Sequence, residues 1–215
     1  MKTKTLAIVG GGTSGLVTAL ILKKYFPKLQ VDLIESAAIG IVGVGEGSTE
    51  HWAKFMRHCG IDLKELFEET DATFKYGINF DNWNGDGKNY IQSVNGELNQ
   101  NGPAGSKFIY ASFVAKGLDP LKMVQPWVST STVIDHHYGI NQFHFNTFKL
   151  NEYLHKKCAN AGVNLIEAEI GNTVLDDNGY ITSLEAKDGR IFSYDFYVDS
   201  TGFARAIVHL SLIHI

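Results

Sequence analysis

Thr5-Leu6-Ala7-Ile8-Val9-Gly10-Gly11-Gly12-Thr13-Ser14-Gly15 decides how this chain is built. A compact apolar run stops abruptly at three glycines, so Thr5 to Val9 reads as a short buried strand. From Thr13 to Phe26 the pattern turns helical. Leu16, Ala19, Leu20 and Lys23 fall at helical spacing, good helix formers dominate, and Pro27 stands where a helix must stop. Val31 to Glu35 is a second strand. Strand, glycine turn, helix and strand make a βαβ unit, whose parallel strands require a right-handed crossover and predict a doubly wound α/β sheet.

The rest of the composition agrees with such a core. The chain has 215 residues, 44% of them hydrophobic and 20% charged, with 19 Lys plus Arg against 23 Asp plus Glu and a net charge of −4. That balance argues against disorder and against an electrostatic nucleic-acid binder. Cys59 and Cys158 are the two cysteines and stand far apart, which excludes a disulfide framework and a zinc ribbon. No apolar run approaches the roughly 18 to 20 residues of a membrane helix, and Leu6 to Val9 is too short for a signal peptide, so the expected location is the cytoplasm.

Beyond Glu35, Gly40 to Thr49 is a glycine-rich loop, Glu50 to Cys59 and Asp62 to Thr70 are two short helices, and Tyr76 to Phe80 is a strand. Asparagine and glycine dominate from Asn82 to Ser106, which reads as an irregular, exposed insertion. Phe143 to Asn146 is a strand and Thr147 to Ala161 a helix, with Leu150, Tyr153, Leu154 and Cys158 on one face and Gly162 as its C-terminal stop. Strands follow at Asn164 to Ile170, Asn172 to Asp176, Tyr180 to Ala186, Arg190 to Tyr194 and Phe196 to Val198. Asn178-Gly179 and Asp188-Gly189 turn them into an antiparallel meander. We read residues 1–209 as one domain with an insertion over about 82–142, and the terminal Leu-Ser-Leu-Ile-His-Ile, 210–215, as a non-native tail on a truncated gene.

Gly10 to Gly15 satisfies G-x-G-x-x-G directly after a strand and at the start of a helix, the context in which that pattern binds a dinucleotide. Gly10 permits the turn, Gly12 lets backbone approach a pyrophosphate, and Gly15 lets the helix pack on the sheet, while helix N-terminal N–H groups attract the negative charge. Glu35 ends the second strand at the distance where an acid accepts hydrogen bonds from a ribose. FAD and NAD share this half of the signature. The meander followed by a strand ending in Asp199-Ser200-Thr201-Gly202 resembles the second FAD-contacting segment of glutathione-reductase-type flavoproteins, which points to FAD.

Val9 to Gly15, then Gly43-Val44-Gly45-Glu46-Gly47-Ser48-Thr49, Thr73-Phe74-Lys75, Phe143-His144-Phe145 and Asp199-Ser200-Thr201-Gly202-Phe203, in that order, resemble the flavin-dependent halogenases. This is the tryptophan-halogenase family, with the nearest likeness to the variant carried by cyanophages. The resemblance runs over nearly all of residues 3 to 209. It implies that reduced FAD, supplied by a separate flavin reductase, reacts with dioxygen to a hydroperoxide. A halide ion attacks the distal oxygen, and the hypohalous acid reaches a lysine beside a small aromatic substrate. Lys75 matches that lysine, holding the halogen either by an ammonium hydrogen bond or as a haloamine.

By the same likeness Val42 to Ser48, including Val42, Val44, Gly45, Glu46, Gly47 and Ser48, form a strap between flavin and substrate. Its glycines would let backbone lie against the flavin face. Thr13, Ser14, Ser36 and Ile39 should line the adenosine and phosphate end, Ile170 should contact adenine, and Gly11 belongs with Gly10 and Gly12 to the cofactor-binding turn. The family's Gly-Val-Gly-Glu-Ala-Thr-x-Pro becomes Gly45-Glu46-Gly47-Ser48-Thr49-Glu50 here, without proline, and the 82–106 stretch has no match to indole-stacking residues. Both departures point away from tryptophan as the substrate. The family's catalytic glutamate and halide-binding backbone have no match in this chain, so this portion alone should not turn over, and the absence of the family's Trp-x-Trp-x-Ile-Pro signature supports the phage-like branch. Two rivals stay open: an aromatic hydroxylase that uses the hydroperoxide directly, and a non-catalytic flavin-binding fragment. His136, His137 and His144 show no metal-ligand spacing.

Overall fold

Strand β1 (Thr5–Val9) pairs in parallel with β2 (Gln30–Glu35) on one side and with the last strand among the described residues, Phe196–Asp199, on the other. The computed structural model describes residues 3–43, 45–49, 51–75, 77–93, 111–112, 114–118 and 142–208. Within these the chain divides into two compact units: Met1–Val44 with His58–Ile61 and Asn146–Ile215, and Gly45–Arg57 with Asp62–Phe145.

In the first unit, helix α1 (Thr13–Tyr25) returns the chain from β1 to β2. Leu6 to Val9 and Val31 to Ile34 are buried without interruption, as expected of parallel strands covered on both faces. Then follow in sequence β3 (Glu46–Gly47), α2 (His51–Cys59), α3 (Leu63–Thr70), β4 (Thr73–Phe74), β5 (Gly77–Asp81), β6 (Asn89–Ser93) and β7 (Phe143–Phe145), all of the second unit except the last two residues of α2. The first unit resumes with α4 (Thr147–Asn160) and β8 (Asn164–Glu167), which pairs with β2. Asn146 starts α4 by accepting from the Phe148 and Lys149 amides, and Gly162 follows its end at φ +78°. The buried face of α4 is Leu150, Tyr153, Leu154 and Cys158, and α4 lies along α1.

Strands β9 (Ile170–Leu175), β10 (Ile181–Ala186) and β11 (Ile191–Phe192) form the expected antiparallel meander, in order β11-β10-β9. Gly179 and Gly189 turn it at φ +81° and +89°. Leu184 and Ala186 share a core with Ala7, Val9 and Ile34. The meander therefore covers part of the sheet built by β1 and β2. Strand β12 (Phe196–Asp199) then completes the parallel order β12-β1-β2-β8.

In the second unit β7 lies between β3 and β4, antiparallel to both. Its alternation is two-faced, with Phe143 and Phe145 buried and His144 exposed. Phe143 meets Phe67 and Phe74 at 5.9 and 5.8 Å between ring centres, and Trp52 meets Phe145 at 4.8 Å. The strand expected over Tyr76 to Phe80 is present as Gly77–Asp81, Tyr76 lying outside the described residues. One expectation needs correction: that strand pairs with β6, which lies inside the stretch read as irregular insertion. The loop there is only 82–88, held by the Asn82 side chain accepting from the Gly87 amide. Residues 94–106 of that stretch lie outside the described residues, as do His136, His137 and the tail 210–215.

Candidate functional site

The glycine turn joins the C-terminal ends of β1 and β12. The Gly10 amide donates to Ile34 O at 2.8 Å, and the Ser200 amide to Val9 O at 2.8 Å. Gly10 has φ +113°, and a Cβ there would lie 2.4 Å from Ser200 O. A Cβ on Gly15 would lie 2.0 Å from Gly10 O. These two glycines are required by backbone packing alone. Gly12 differs. It is the N-cap of α1 at φ −72° and ψ 174°, which any residue adopts, and a Cβ there meets nothing within 4 Å. The helix it opens has no side-chain cap and no acidic residue in its first turn. An open cradle at an uncapped, acid-free helix N-terminus fits a phosphate-bearing ligand.

Glu35 ends β2 half-buried, with its carboxylate against the turn: a Cβ on Gly11 would fall on its Oε2. Two residues not singled out in the sequence fix this corner. His155 Nε2 lies 2.7 and 2.8 Å from the two Glu35 oxygens, and its Nδ1 2.8 Å from the Asn151 carbonyl. The Asn151 side-chain amide donates to Gly11 O at 2.7 Å. The Phe148 ring stands where a Cβ on Gly43 would be, so strap backbone lies on that ring. Phe148, Asn151 and His155 are spaced by three and four, one stripe of α4 separate from its buried face. That spacing was the signal available in the sequence. The Glu35 hydrogen bond outweighs burial and raises the His155 pKa above the ordinary histidine value.

At the end of β12 both Asp199 oxygens are engaged within the chain. Oδ1 accepts from the Thr201 amide at 2.9 Å and its hydroxyl at 2.6 Å, and Oδ2 accepts from the Ile207 and Val208 amides, each at 2.8 Å. Partial burial pushes the carboxyl pKa up, but these donors outweigh it and hold Asp199 below the usual carboxylate range. Its work here is to shape the turn. Gly202, at φ +62°, follows, and Phe203 is fully exposed.

In the second unit Ser48 is buried and stitched to β7. Its amide donates to Phe143 O and its Oγ accepts from the Phe143 amide, both at 2.8 Å. The Lys75 amide continues the β4–β7 ladder by donating to Gln142 O at 3.0 Å. Lys75 Nζ donates to Ser48 O at 3.2 Å and stands 3.6 Å from a Cβ built on Gly47. Glu46 and Gly47 form β3, and Gly45 before them takes φ +76° in open space.

The expected site residues thus fall into two groups. The glycine turn, Glu35 and the Asp199 to Gly202 turn belong to the first unit, and Gly45 to Ser48 with Lys75 to the second. Thr13 and Ser14 open α1, and Ser14 O accepts from the Thr18 hydroxyl. Ser36 O closes a turn by accepting from the Ile39 and Gly40 amides, while the side chains of Ile39 and Val42 are exposed. Ile170 is half-buried and packs on the meander core. Val44 lies outside the described residues. Among the described residues no group of three or more His, Cys, Asp or Glu is arranged to hold a metal ion.

A glycine turn on a parallel sheet, an acid closing the second strand and an uncapped helix define a dinucleotide-binding α/β protein. Its family follows from comparison: the tryptophan halogenase family model matches residues 5–213, and the chain belongs to that family. It is 30% identical over 96% of its length to the tryptophan 6-halogenase SttH of Streptomyces toxytricini, of which it covers 45%. Among solved structures it resembles Xcc4156, a flavin-dependent halogenase from Xanthomonas campestris, at 29% identity and a TM-score of 0.80, over 99% of this chain and 45% of that one. It also resembles the tryptophan 5-halogenase MibH, at 28% identity and a TM-score of 0.79, over 98% and 41%. The chain therefore spans under half the length of these relatives.

Proposed function

We propose that this chain is the flavin-binding portion of a flavin-dependent halogenase that acts on a small aromatic substrate, with residues 1–209 working as one functional domain. The observation that carries this reading is Lys75: its amine is held by Ser48 O inside a glycine strap, in a chain of the tryptophan halogenase family. Gly10 to Gly15 and the start of α1 would hold the FAD pyrophosphate, and Glu35 the ribose. Thr13, Ser14, Ser36, Ile39 and Ile170 would complete the adenosine end, and Val42 to Ser48 would pass along the flavin.

Bound reduced FAD, delivered by a flavin reductase, would supply the oxygen chemistry that converts halide into an electrophilic halogen. What the chain's own residues do is narrower. The glycines bring backbone donors to phosphate without side-chain obstruction, and Asp199 fixes the turn against which Gly10 packs. Lys75 presents three donors on a stem rooted at the end of β4, so a hypohalous acid released near the strap would meet an amine of set position. Ser48 O accepts from that amine until it engages the halogen.

No helix among the described residues is long and apolar enough to cross a membrane. The cytoplasm, that of a host cell if the gene is phage-borne, is the location we propose. The test has two parts: FAD titration of the 215-residue chain, and mass analysis of products from a form extended to the length of the relatives. That form is given halide, a flavin reductase and a panel of phenols and indoles. Halide-dependent halogenated product supports the reading; hydroxylated product independent of halide replaces it with a hydroxylase.

A further inference from the structure

We propose that His155 is a positioning residue of the FAD site: as an imidazolium it holds the Glu35 carboxylate over Gly11 and cancels its charge, which makes flavin affinity depend on pH. The inference rests on the flavin reading above and adds to it a residue and a regulation.

The geometry of the ring carries it. Nδ1 faces the Asn151 carbonyl oxygen at 2.8 Å, and Nε2 faces the two Glu35 oxygens at 2.7 and 2.8 Å. A carbonyl oxygen and an ionised carboxylate only accept, so the imidazolium, with a proton on each ring nitrogen, is the form that satisfies both contacts. Either neutral tautomer would set a lone pair against an oxygen. The same turn of α4 reaches the glycines, since the Asn151 amide donates to Gly11 O at 2.7 Å, and the Glu35 carboxylate occupies the place of a Gly11 Cβ. An acid there, left uncompensated beside an open helix N-terminus, would repel the pyrophosphate that the turn is shaped to take. The imidazolium removes that repulsion while leaving each carboxylate oxygen a further lone pair for a ribose hydroxyl.

Charges on the surrounding elements leave this pair dominant. Glu35 on β2 is the charge that acts on the ring, first through its hydrogen bond. Cys158, one turn along α4, is pushed up to about 12, chiefly by burial, and stays neutral. On α1, Lys23 Nζ donates to Leu29 O and Lys24 acts on Cys59, and on β8 Glu167 accepts from the Ala37 amide. The remaining charges of α4 are Lys149, Glu152, Lys156 and Lys157.

The sign follows from linkage. The negative pyrophosphate favours the imidazolium, so binding takes up a proton, and affinity is highest below the raised His155 pKa and falls as pH rises through it. One proton limits the slope to about tenfold per pH unit.

The test is FAD titration of the 215-residue chain from about pH 6 to about pH 9, in the parent and in His155→Gln. It is joined by a magnetic-resonance titration of the His155 ring without flavin, in the parent and in Glu35→Gln. We expect the parent's affinity to fall on the order of tenfold across the His155 titration and the His155→Gln profile to be flat. The ring should titrate above the ordinary histidine value in the parent and return toward it in Glu35→Gln. Parallel affinity profiles in parent and His155→Gln, or an unshifted ring, overturn the proposal. A parent that binds no FAD at any pH overturns the flavin reading with it, and that failure is told apart because the ring titration reports the pair without flavin.

Discussion

A Cβ at Gly10 would lie 2.4 Å from one backbone oxygen and a Cβ at Gly15 2.0 Å from another, whereas a Cβ at Gly12 meets nothing within 4 Å. Substitution should therefore separate folding from binding. Gly10→Val adds backbone overlap to a positive φ and should cost roughly 3 kcal/mol of stability. Gly12→Val should cost about 1 kcal/mol or less and leave the melting temperature close to the parent's. FAD affinity of the folded Gly12→Val chain should nevertheless fall at least about tenfold, because a branched side chain then fills the cradle. Thermal melts and flavin titration of the two variants check both halves. His155 carries its own signature. Its pKa is raised by Glu35, so the stability it adds is fully present below about 6.5, the unfolded value, and is lost as pH rises through the higher folded value. Chemical denaturation of parent and His155→Gln should show the larger gap at mildly acidic pH and convergence under alkaline conditions.

At the scale of elements, the turn after β12 hangs on one carboxylate. Asp199 has a lowered pKa, so its contribution is present above about 3.9, the unfolded value, and is lost as pH falls through the folded one. Asp199→Ala should cost about 1–3 kcal/mol near neutral pH, by leaving the Thr201, Ile207 and Val208 amides without their acceptor. The parent's stability should fall to meet the variant's under strongly acidic conditions, where Asp199 becomes protonated. On the other unit, Lys75→Ala should leave FAD affinity unchanged and abolish halogenated product in a form of the relatives' length. Lys75→Arg should fail as well, since a guanidinium stays protonated and presents a planar fork. Product per flavin oxidised is the measurement, and near-parental yield from Lys75→Ala refutes the role.

The long elements were legible because each repeats its pattern: β1 and β2 as unbroken apolar runs, α1 and α4 by helical spacing with their stops at Pro27 and Gly162. Strands β3 and β4 span two residues each, too few to show alternation, and exist through their pairing with β7. Strand β6 was hidden because Asn and Gly on both sides of it suggested turns throughout. His155 and Asn151 were missed for a different reason: polar residues on an otherwise amphipathic helix read as its solvated side.

Across the whole molecule, the turn, the acid and the strap lysine are all present, while the family's catalytic glutamate and halide segment find no match in the 215 residues. The chain covers 45% of the Streptomyces relative. It should therefore bind FAD and release no chlorinated or brominated product when supplied with reduced flavin and halide, as mass spectrometry of the reaction would register.

The sheet order also sets a timetable for synthesis. Strand β1 can meet β2 as soon as residue 35 has left the ribosome, but its other edge stays open until Phe196–Asp199 arrives. The Gly10 turn closes against Ser200, so this glycine corner is finished only when residue 200 has emerged. Pairing at such sequence separation is slow and exposes an apolar edge in the interval. Nascent chains arrested shortly before Phe196 should thus be chaperone-dependent and blind to flavin, and acquisition of flavin should serve as a late clock for the folding of β12.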